Sequence, residues 1–349
     1  MKQFLLIISL VCSLTSCIKK APLNPEADIE TFTVDKTFLT GDVVIDQANR
    51  KILLYLQPEA YKNGIVPKIV VSNGATLSPA SGDSLKFGSP ISYTVTSQSG
   101  VNRKKYDVVV VMVGSWTFNF EWWGINDPNQ YEFPYGDDGA QVWTSGNPGI
   151  AITGVDKRPD AYPMRSTTDG YLGTKAAEIV TLPGNDISKM IGIKIFPGSL
   201  FLGNFNSSSA MTNPPAATEF GQPIVGHPVR FTGYYKYAPG PLFQDSDGNT
   251  VNSMTDRCAV YAILFNGPQR LNGSNILTAN TIVARAVLPD QSAKSDFTRF
   301  DIPFDYTGGS MPGNQLMLAI VASSSAEGAS YRGAIGSRLV VDSLRIIMQ

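Results

Sequence analysis

Short apolar runs that alternate with polar residues and end at turn residues dominate most of the chain. IETFTVD places Phe32 and Val34 on one side of an extended strand, and ISYTVTS does the same with Tyr93 and Val95. A period of two is the spacing of a β-strand with one buried face. RKILLYLQ, residues 50–57, is apolar with little interruption, which predicts a strand that is covered on both faces.

The texture of the sequence changes near residue 114, where aromatic residues, glycine and proline become frequent. From there to residue 349 no helical period longer than two turns is evident, and strand alternates with turn. This pattern predicts an all-β chain in which a small β-sandwich, residues 28–113, precedes a larger sandwich or jelly roll, residues 114–349. The strand-like runs of the larger part are KAAEIVTL, MIGIKIF, VRFTGYYKYA, CAVYAILFN, TIVARAVL, FTRFDIPFDY, QLMLAIVASS and SRLVVDSLRIIM.

The N-terminus has the features of a secretory leader. Lys2 precedes the apolar run FLLIISLV, and LTSC follows at residues 14–17. This arrangement predicts a signal peptide over residues 1–16 and matches the bacterial lipobox, in which Cys17 is lipidated. The alternative is an ordinary signal peptide that happens to contain Cys17. Residues 17–27, with two prolines and no apolar period, predict a tether. We therefore expect an outer-membrane lipoprotein, facing the periplasm or the cell surface, with its lipid anchor in the membrane.

Composition and charge exclude several classes of function. Charged residues make up 16% of the chain and the formal net charge is −1, so no electrostatic footprint for nucleic acid is present. The single histidine, His227, excludes a multi-histidine metal site and weakens a Ser-His-Asp mechanism. Cys258 lacks a disulfide partner once Cys17 is lipidated, and its place in a strand-like run predicts a buried, inert thiol.

Two resemblances to known families sharpen this picture. SNGATLSPASGD at 72–83, ISYTVTSQSG at 91–100 and KYDVVVVMV at 105–113 look like the immunoglobulin-like modules at the front of many bacterial lipoproteins. The resemblance covers nearly all of residues 27–113 and implies a spacer.

The second part resembles the putative carbohydrate metabolism domain family of Gram-negative lipoproteins. Arg338 and Ser343 depart from the family pattern, at places where a small hydroxyl residue and a second aspartate are expected. The resemblance implies a jelly roll related to carbohydrate-binding modules and a role in polysaccharide use. The matching motifs are DGYLGTKAAEIVT at 169–181, VRFTGYYKY at 229–237, DIPFDY at 301–306, SSSAEG at 323–328 and GAIGSRLVVDSL at 333–344.

One loop carries the residue types of a sugar-binding site. Sugars present apolar C–H faces to flat rings and hydroxyl groups to forked polar side chains. The stretch DAYPMRSTTDGYLG, residues 160–173, and the stretch YGDDGAQVWTSG, residues 135–146, supply both. The alternative is a polar turn between two strands, in which Arg165 bridges Asp160 and a tyrosine caps the core. The predicted carbohydrate-binding residues are Trp143, Asp160, Tyr162, Arg165, Asp169 and Tyr171.

A structural calcium ion is a second hypothesis. Carbohydrate-binding jelly rolls often tie their first strand to their last through such an ion, and Glu121 and Asp342 lie at those two ends. Two carboxylates suffice as anchors because backbone carbonyls supply many calcium ligands. The alternative is a surface glutamate and an aspartate at a turn. No other cofactor is expected.

Catalysis is left open by the sequence. A glycoside hydrolase needs two carboxylates at a defined separation, and spacing along the chain does not show which acids converge. We predict a protein that binds an oligo- or polysaccharide non-covalently. The alternatives are a glycoside hydrolase and an adhesive or structural envelope protein. The candidate acids are Asp160, Asp169, Glu178, Asp256 and Asp301.

Overall fold

The computed structural model confirms the all-β prediction. It describes residues 22–39, 43–47, 50–87, 91–110, 116–137, 139–207, 209–210, 212–306, 311–312 and 316–349. Strands account for most of the regular structure in these ranges, and the helices have six residues or fewer. Within the same ranges no helix combines the length and the apolar character needed to cross a lipid bilayer. The predicted leader and Cys17 lie outside the described residues.

The N-terminal part, which we call the first module, is a small β-sandwich. A five-stranded sheet in the order β2-β3-β7-β6-β5 lies beside the antiparallel pair β1-β4, and β3 and β7 run parallel. One helix, α1 (Pro58–Asn63), and one 3-10 turn, Lys36–Phe38, connect the strands. The strands are β1 (Ile29–Thr33), β2 (Val44–Asp46), β3 (Lys51–Leu54), β4 (Lys68–Val71), β5 (Thr76–Ser78), β6 (Ile91–Thr96) and β7 (Arg103–Val110).

The continuous apolar run in and after β3 is covered on both faces, as the sequence predicts. Ile52 and Leu54 pack into the core of the first module. Leu53 and Tyr55 point the other way and pack into the core of the C-terminal part. Arg270 of that part donates a hydrogen bond to the Tyr55 hydroxyl and lies over its ring. The two parts of the chain therefore share a packed junction.

The C-terminal part, which we call the second module, contributes the larger sandwich. Three short helices, α2 (Asn147–Ala151), α3 (Asp186–Met190) and α4 (Pro214–Ala217), and two 3-10 turns interrupt it. Its strands are β8 (Thr117–Phe118), β9 (Trp122–Ile125), β10 (Glu132–Tyr135), β11 (Trp143–Ser145), β12 (Met164–Thr167), β13 (Ala176–Val180), β14 (Leu182–Pro183), β15 (Ile195–Phe196), β16 (Ser199–Phe205), β17 (Thr218–Phe220), β18 (Gln222–Ile224), β19 (Pro228–Ala238), β20 (Phe243–Gln244), β21 (Ala259–Asn266), β22 (Leu271–Asn272), β23 (Ile282–Val287), β24 (Lys294–Pro303), β25 (Leu316–Ser323), β26 (Gly333–Ala334) and β27 (Arg338–Met348).

Two antiparallel sheets of the second module enclose its core. The back sheet has the order β22-β17-β16-β25-β21-β23, with β11 and β18 attached. The front sheet has the order β12-β13-β27-β19-β24, with β8 paired to β27. Pairing of β8 with β27 joins the first and last strands of the module. Cys258 lies between the sheets, and burial raises the pKa of its thiol to about 12, which agrees with an inert cysteine.

The alternation along the front-sheet strands separates two kinds of side chain. In β19, Phe231, Tyr235 and Tyr237 point into the core, so Tyr234 and Lys236 point outward. The same rule sends Leu339 and Val341 of β27 inward. We call the outward side of the front sheet the front face. The front face carries polar and aromatic side chains from β12, β13, β27, β19 and β24. The candidate site lies there.

Candidate functional site

A loop over residues 168–175, here the crossing loop, lies on the front face and joins β12 to β13. The backbone N–H groups of Tyr171 and Leu172 donate to Oδ2 of Asp342, at 2.7 and 3.2 Å. The N–H and hydroxyl groups of Thr174 donate to the Glu121 carboxylate at 2.8–3.1 Å. Two carboxylates outside the loop therefore fix its backbone.

Gly173 is required where the crossing loop meets Glu121. Its φ is +111°, in the region that favours glycine, and a Cβ there would lie 2.0 Å from the Glu121 Oε1 atom. Any side chain at this position would break the contact between the carboxylate and the loop. The glycine at the end of DGYLG, residues 169–173, is thus explained by the close contact of the crossing loop with Glu121.

The crossing loop places one tyrosine ring flat against another. Tyr171 stacks on Tyr234 of β19, with ring centroids 3.6 Å apart and an angle of 20° between the planes. Phe297 of β24 meets the edge of Tyr171 at 5.6 Å. Tyr171 is 41% exposed, so it offers a ring surface to solvent. A hydrogen bond with Tyr234 and partial burial raise the pKa of Tyr171, which keeps the phenol neutral at physiological pH.

Ion pairs run across the front face beside these rings. Glu178 lies opposite Arg165 in the pairing of β12 with β13, and Arg165 donates to it at 2.6 Å. Arg338 donates to the other oxygen of Glu178 at 2.5 Å and lies 3.8 Å from Asp169. Lys236 pairs with Asp169 at 2.6 Å and lies 4.4 Å from the centroid of the Phe297 ring. Opposite charges thus hold these long side chains in fixed positions.

A second cluster of charged side chains lies at the end of the front face near β24. Arg230 donates to Oδ1 of Asp301 at 2.5 Å, and Arg299 approaches the other oxygen at 3.2 Å. Arg299 is directly opposite Tyr234 in the pairing of β19 with β24. The guanidinium group of Arg299 therefore lies on the β24 side of the stacked rings.

The structure brings together three of the six predicted sugar-binding residues. Arg165, Asp169 and Tyr171 all lie on the front face. The exposed carboxylate of Asp160 pairs with Arg158 instead, and Arg165 reaches only the Asp160 carbonyl, at 3.4 Å. The Arg165–Asp160 bridge expected under the alternative of a polar turn is therefore made only through the backbone of Asp160.

Two of the predicted rings must be corrected, because they are core residues. Trp143 is 5% exposed and packs between Phe118 and Phe120, with centroids 5.0 and 5.3 Å away. Tyr162 is 1% exposed, and its hydroxyl donates to the carbonyl of Asn129 at 2.8 Å. Neither ring can stack on a ligand at the surface.

The pair proposed for calcium has another role. Both oxygens of Glu121 and both of Asp342 accept hydrogen bonds from N–H or hydroxyl donors of the crossing loop and of Ser343. Backbone N–H groups do not coordinate a cation, so this donor set does not fit calcium. No group of three or more acidic, histidine or cysteine side chains in the described part of the chain could hold a metal ion.

The pKa values of these two carboxyl groups shift in opposite directions, because hydrogen bonds dominate at Glu121 and burial dominates at Asp342. Burial opposes ionisation of Glu121, but the donors on Thr174 and Lys175 hold its pKa below the ordinary value. Burial dominates at Asp342 and raises its pKa, although Tyr171 and Leu172 donate to it. Asp342 is fully buried beneath the loop and is not accessible to a ligand.

Several residues of the front face were not predicted from the sequence, among them Tyr234, Lys236, Phe297 and Arg299. The alternation in VRFTGYYKYA places Tyr234 and Lys236 on the side opposite Tyr235 and Tyr237, which was a usable signal. Phe297 and Arg299 alternate in the same way in FTRFDIPF, but the register between the two strands was needed to bring them beside Tyr171.

Comparisons with known proteins agree with this architecture. The model of the family described as "Putative carbohydrate metabolism domain" matches residues 119–347, and that of "SGBP, N-terminal" matches residues 29–110. None of the curated proteins searched matches the chain.

Two solved structures share the fold. The structure of a putative glycoside hydrolase from Bacteroides thetaiotaomicron VPI-5482 is 33% identical, with a TM-score of 0.79, over 95% of this chain and 99% of that one. A putative glycoside hydrolase from Bacteroides vulgatus ATCC 8482 is 30% identical, with a TM-score of 0.62, over 67% of this chain and 98% of that one. The first of these similarities spans both modules.

Proposed function

The chain belongs to the putative carbohydrate metabolism domain family, and from this premise we propose that it binds carbohydrate non-covalently on the front face. One observation carries the proposal. Tyr171, stacked on Tyr234 and held by a loop that two carboxylates anchor, presents an open ring surface beside ion-paired charged side chains.

The chemistry of the front face suits a saccharide. The apolar C–H face of a sugar ring stacks on a flat aromatic ring, and Tyr171 supplies one that cannot turn away because Tyr234 supports it. Hydroxyl groups around the sugar need donors and acceptors in fixed positions. Arg299, Lys236 and Asp169 offer both, and their ion pairs limit the entropy lost on binding.

The carboxylates of the front face favour binding over hydrolysis. A glycoside hydrolase needs one carboxyl group that can hold a proton and another that is free to act as base or nucleophile. Guanidinium groups occupy both oxygens of Glu178, and Asp169 contacts both Lys236 and Arg338. Each carboxylate is therefore engaged by two cationic side chains, and neither is free to act as a base or a nucleophile.

Glycoside hydrolysis is the second candidate, because both structural relatives carry that description. In this case Asp169 and Glu178 are the pair to test, since Arg338 contacts both of them. The two functions differ in one measurable product, which is the reducing end released from a glycan.

The test is an affinity gel with soluble polysaccharides, run alongside a reducing-end assay. We expect the protein to be retarded by at least one polysaccharide without releasing sugar. Tyr171→Ala should weaken retardation by roughly 5–30 fold, equivalent to about 1–2 kcal/mol. Phe38→Ala is the matched control, because Phe38 is 40% exposed but lies in the first module. Equal loss in both variants, or release of reducing ends by the wild type, would contradict the proposal.

A membrane anchor at Cys17 completes the proposed function. LTSC at residues 14–17 supports it. Asn24 and Ala27 already pack against the first module, so residues 18–23 are the part of the predicted tether that would give the modules reach from an outer-membrane surface. Labelling of cells with a palmitate analogue tests the anchor. Cys17→Ser should abolish the label, whereas Cys12→Ser, in the leader, should leave it unchanged. Persistent label in Cys17→Ser would contradict the anchor.

A further inference from the structure

A cleft of about 320 Å³ lies where the two modules meet, away from the front sheet. One wall is the edge strand β2 of the first module, and the other is formed by the end of β16 and by β17 of the back sheet. Small-molecule sites begin at about this volume. The polar and aromatic side chains that line it are Asp46, Gln47, Asn204, Phe205, Asn206 and Glu219.

We propose that this junction cleft is a second saccharide site, which takes a neutral or amino sugar unit and is complete only when both modules are docked. Phe205 offers an aromatic ring, while the amides of Asn204 and Asn206 supply donors and acceptors for hydroxyl groups. The site shares no residue with the front face, so it does not depend on the function proposed there.

The walls of the cleft are positioned by contacts on both sides. Gln47 accepts a hydrogen bond from the Tyr106 hydroxyl at 2.6 Å and donates to the Ile29 carbonyl at 2.6 Å. Asn206 donates to Oε1 of Glu219 at 3.3 Å. Arg270, which contacts Tyr55 across the junction, also donates to the Gly221 carbonyl just beyond β17. A site with fixed walls loses less entropy on binding.

The charge of the cleft selects the class of sugar. Among the described residues that line it, the ionisable groups are the carboxyl groups of Asp46 and Glu219, and none is a lysine or arginine. Burial and the neighbouring charge of Asp46 raise the pKa of Glu219, so the site already resists negative charge. An anionic sugar such as a uronate would add repulsion, whereas a neutral sugar avoids it and an ammonium group is attracted.

The experiment is an NMR titration of the full chain, with the methyl signals of Val44 and Ile45 as reporters, since both residues line the cleft. The probes are cellobiose, lactose, glucosamine and glucuronate. We expect a neutral disaccharide or glucosamine to shift these signals and glucuronate to leave them unchanged. Glu219→Gln should weaken any glucosamine binding about tenfold relative to the neutral probes, because one attractive charge is removed.

Two further variants distinguish binding in the cleft from an effect on folding and from binding at the front face. Phe205→Leu keeps an apolar side chain but removes the flat ring, and it should weaken binding about fivefold or more. Tyr171→Ala should leave the shifts in the cleft intact. The inference is overturned if none of the neutral or amino sugars shifts the reporters, if glucuronate binds equally well, or if Phe205→Leu has no effect. Because this cleft would also bind a sugar unit, polysaccharide retardation is assigned to the front face only through its loss in Tyr171→Ala.

Discussion

The outer sides of two sheets in this molecule have opposite chemistry. In the first module, Leu53 and Tyr55 lie on the side of the five-stranded sheet that faces away from its own core, and the second module covers them. In the second module, the corresponding side of the front sheet carries Tyr234 and Lys236, which remain partly exposed beside the crossing loop, while Glu178 is buried between two arginines. An apolar outer face joins modules, whereas a polar outer face with supported rings is suited to a ligand.

The largest effect should come from the covered face. Leu53→Ala should lower the free energy of unfolding by about 2–5 kcal/mol, because it removes buried methyl groups and leaves a cavity at the junction. All four tryptophans, Trp116, Trp122, Trp123 and Trp143, belong to the second module, so denaturation followed by tryptophan fluorescence reports on that module. A shifted tryptophan transition shows that the junction couples the modules.

Val101→Ala is the control for this variant, because Val101 is 79% exposed in the first module and should change stability by less than about 0.5 kcal/mol. If Leu53→Ala leaves the tryptophan transition where it is in the wild type, the two modules are not packed together as described.

The next effect concerns the anchor of the crossing loop. Asp342→Ala leaves the partly buried N–H groups of Tyr171 and Leu172 without their acceptor, which should cost about 1–3 kcal/mol. The loop should then move away from the sheet and expose Tyr234. Hydrogen exchange measures this directly, through faster exchange of the Tyr171 and Leu172 amides. Unchanged protection would show that another contact holds the loop.

A smaller effect distinguishes binding from catalysis on the open face. Glu178→Gln removes the charge between Arg165 and Arg338 and should destabilise the protein by about 1–2 kcal/mol. Most of the glycan retardation should remain, because Glu178 holds other side chains in place. If the wild type releases reducing ends and this variant does not, Glu178 is a catalytic acid or base and the binding proposal is wrong.

The smallest effect is a pH dependence at the junction. The folded-state pKa of Glu219 is raised above its ordinary value of 4.5, so ionisation of this group opposes folding. Relative to the wild type, Glu219→Gln should therefore gain stability as pH rises through 4.5 to the folded-state pKa, and then hold a constant advantage. The two proteins should be alike at lower pH. Thermal melting at several pH values in this window measures the difference in stability between the two proteins. If the advantage of Glu219→Gln grew as the pH fell, the pKa of Glu219 would be lowered by folding, which would contradict this account.

Tyr162 and Tyr171 show how far the sequence could predict the site. Both belong to the same polar stretch, and local pattern gives them equal claims as platforms. Tyr162 follows the 3-10 turn Pro159–Ala161 and packs against Tyr131, while Tyr171 lies in the loop and meets Tyr234. Contacts with residues far away in the sequence decide which of the two rings is buried. The alternation of apolar and polar residues does not identify such contacts.

The same reason explains the remaining successes and failures. Strand alternation placed Phe32, Val34, Tyr93 and Val95 in a core, because that signal is local. Trp143 is buried because β11 pairs with β16, a contact that no local pattern reveals. The first and last strands of the second module do lie side by side, as the calcium hypothesis requires. Glu121 and Asp342, however, accept hydrogen bonds from the crossing loop and from Ser343.

Hydrogen exchange with and without a retained polysaccharide tests the central claim most directly. We predict slower exchange in residues 164–175, 232–237 and 295–301, which contain the crossing loop and the strands beneath it, and we predict loss of this protection in Tyr171→Ala. Binding that protects none of these segments would contradict the claim that the front face holds the carbohydrate.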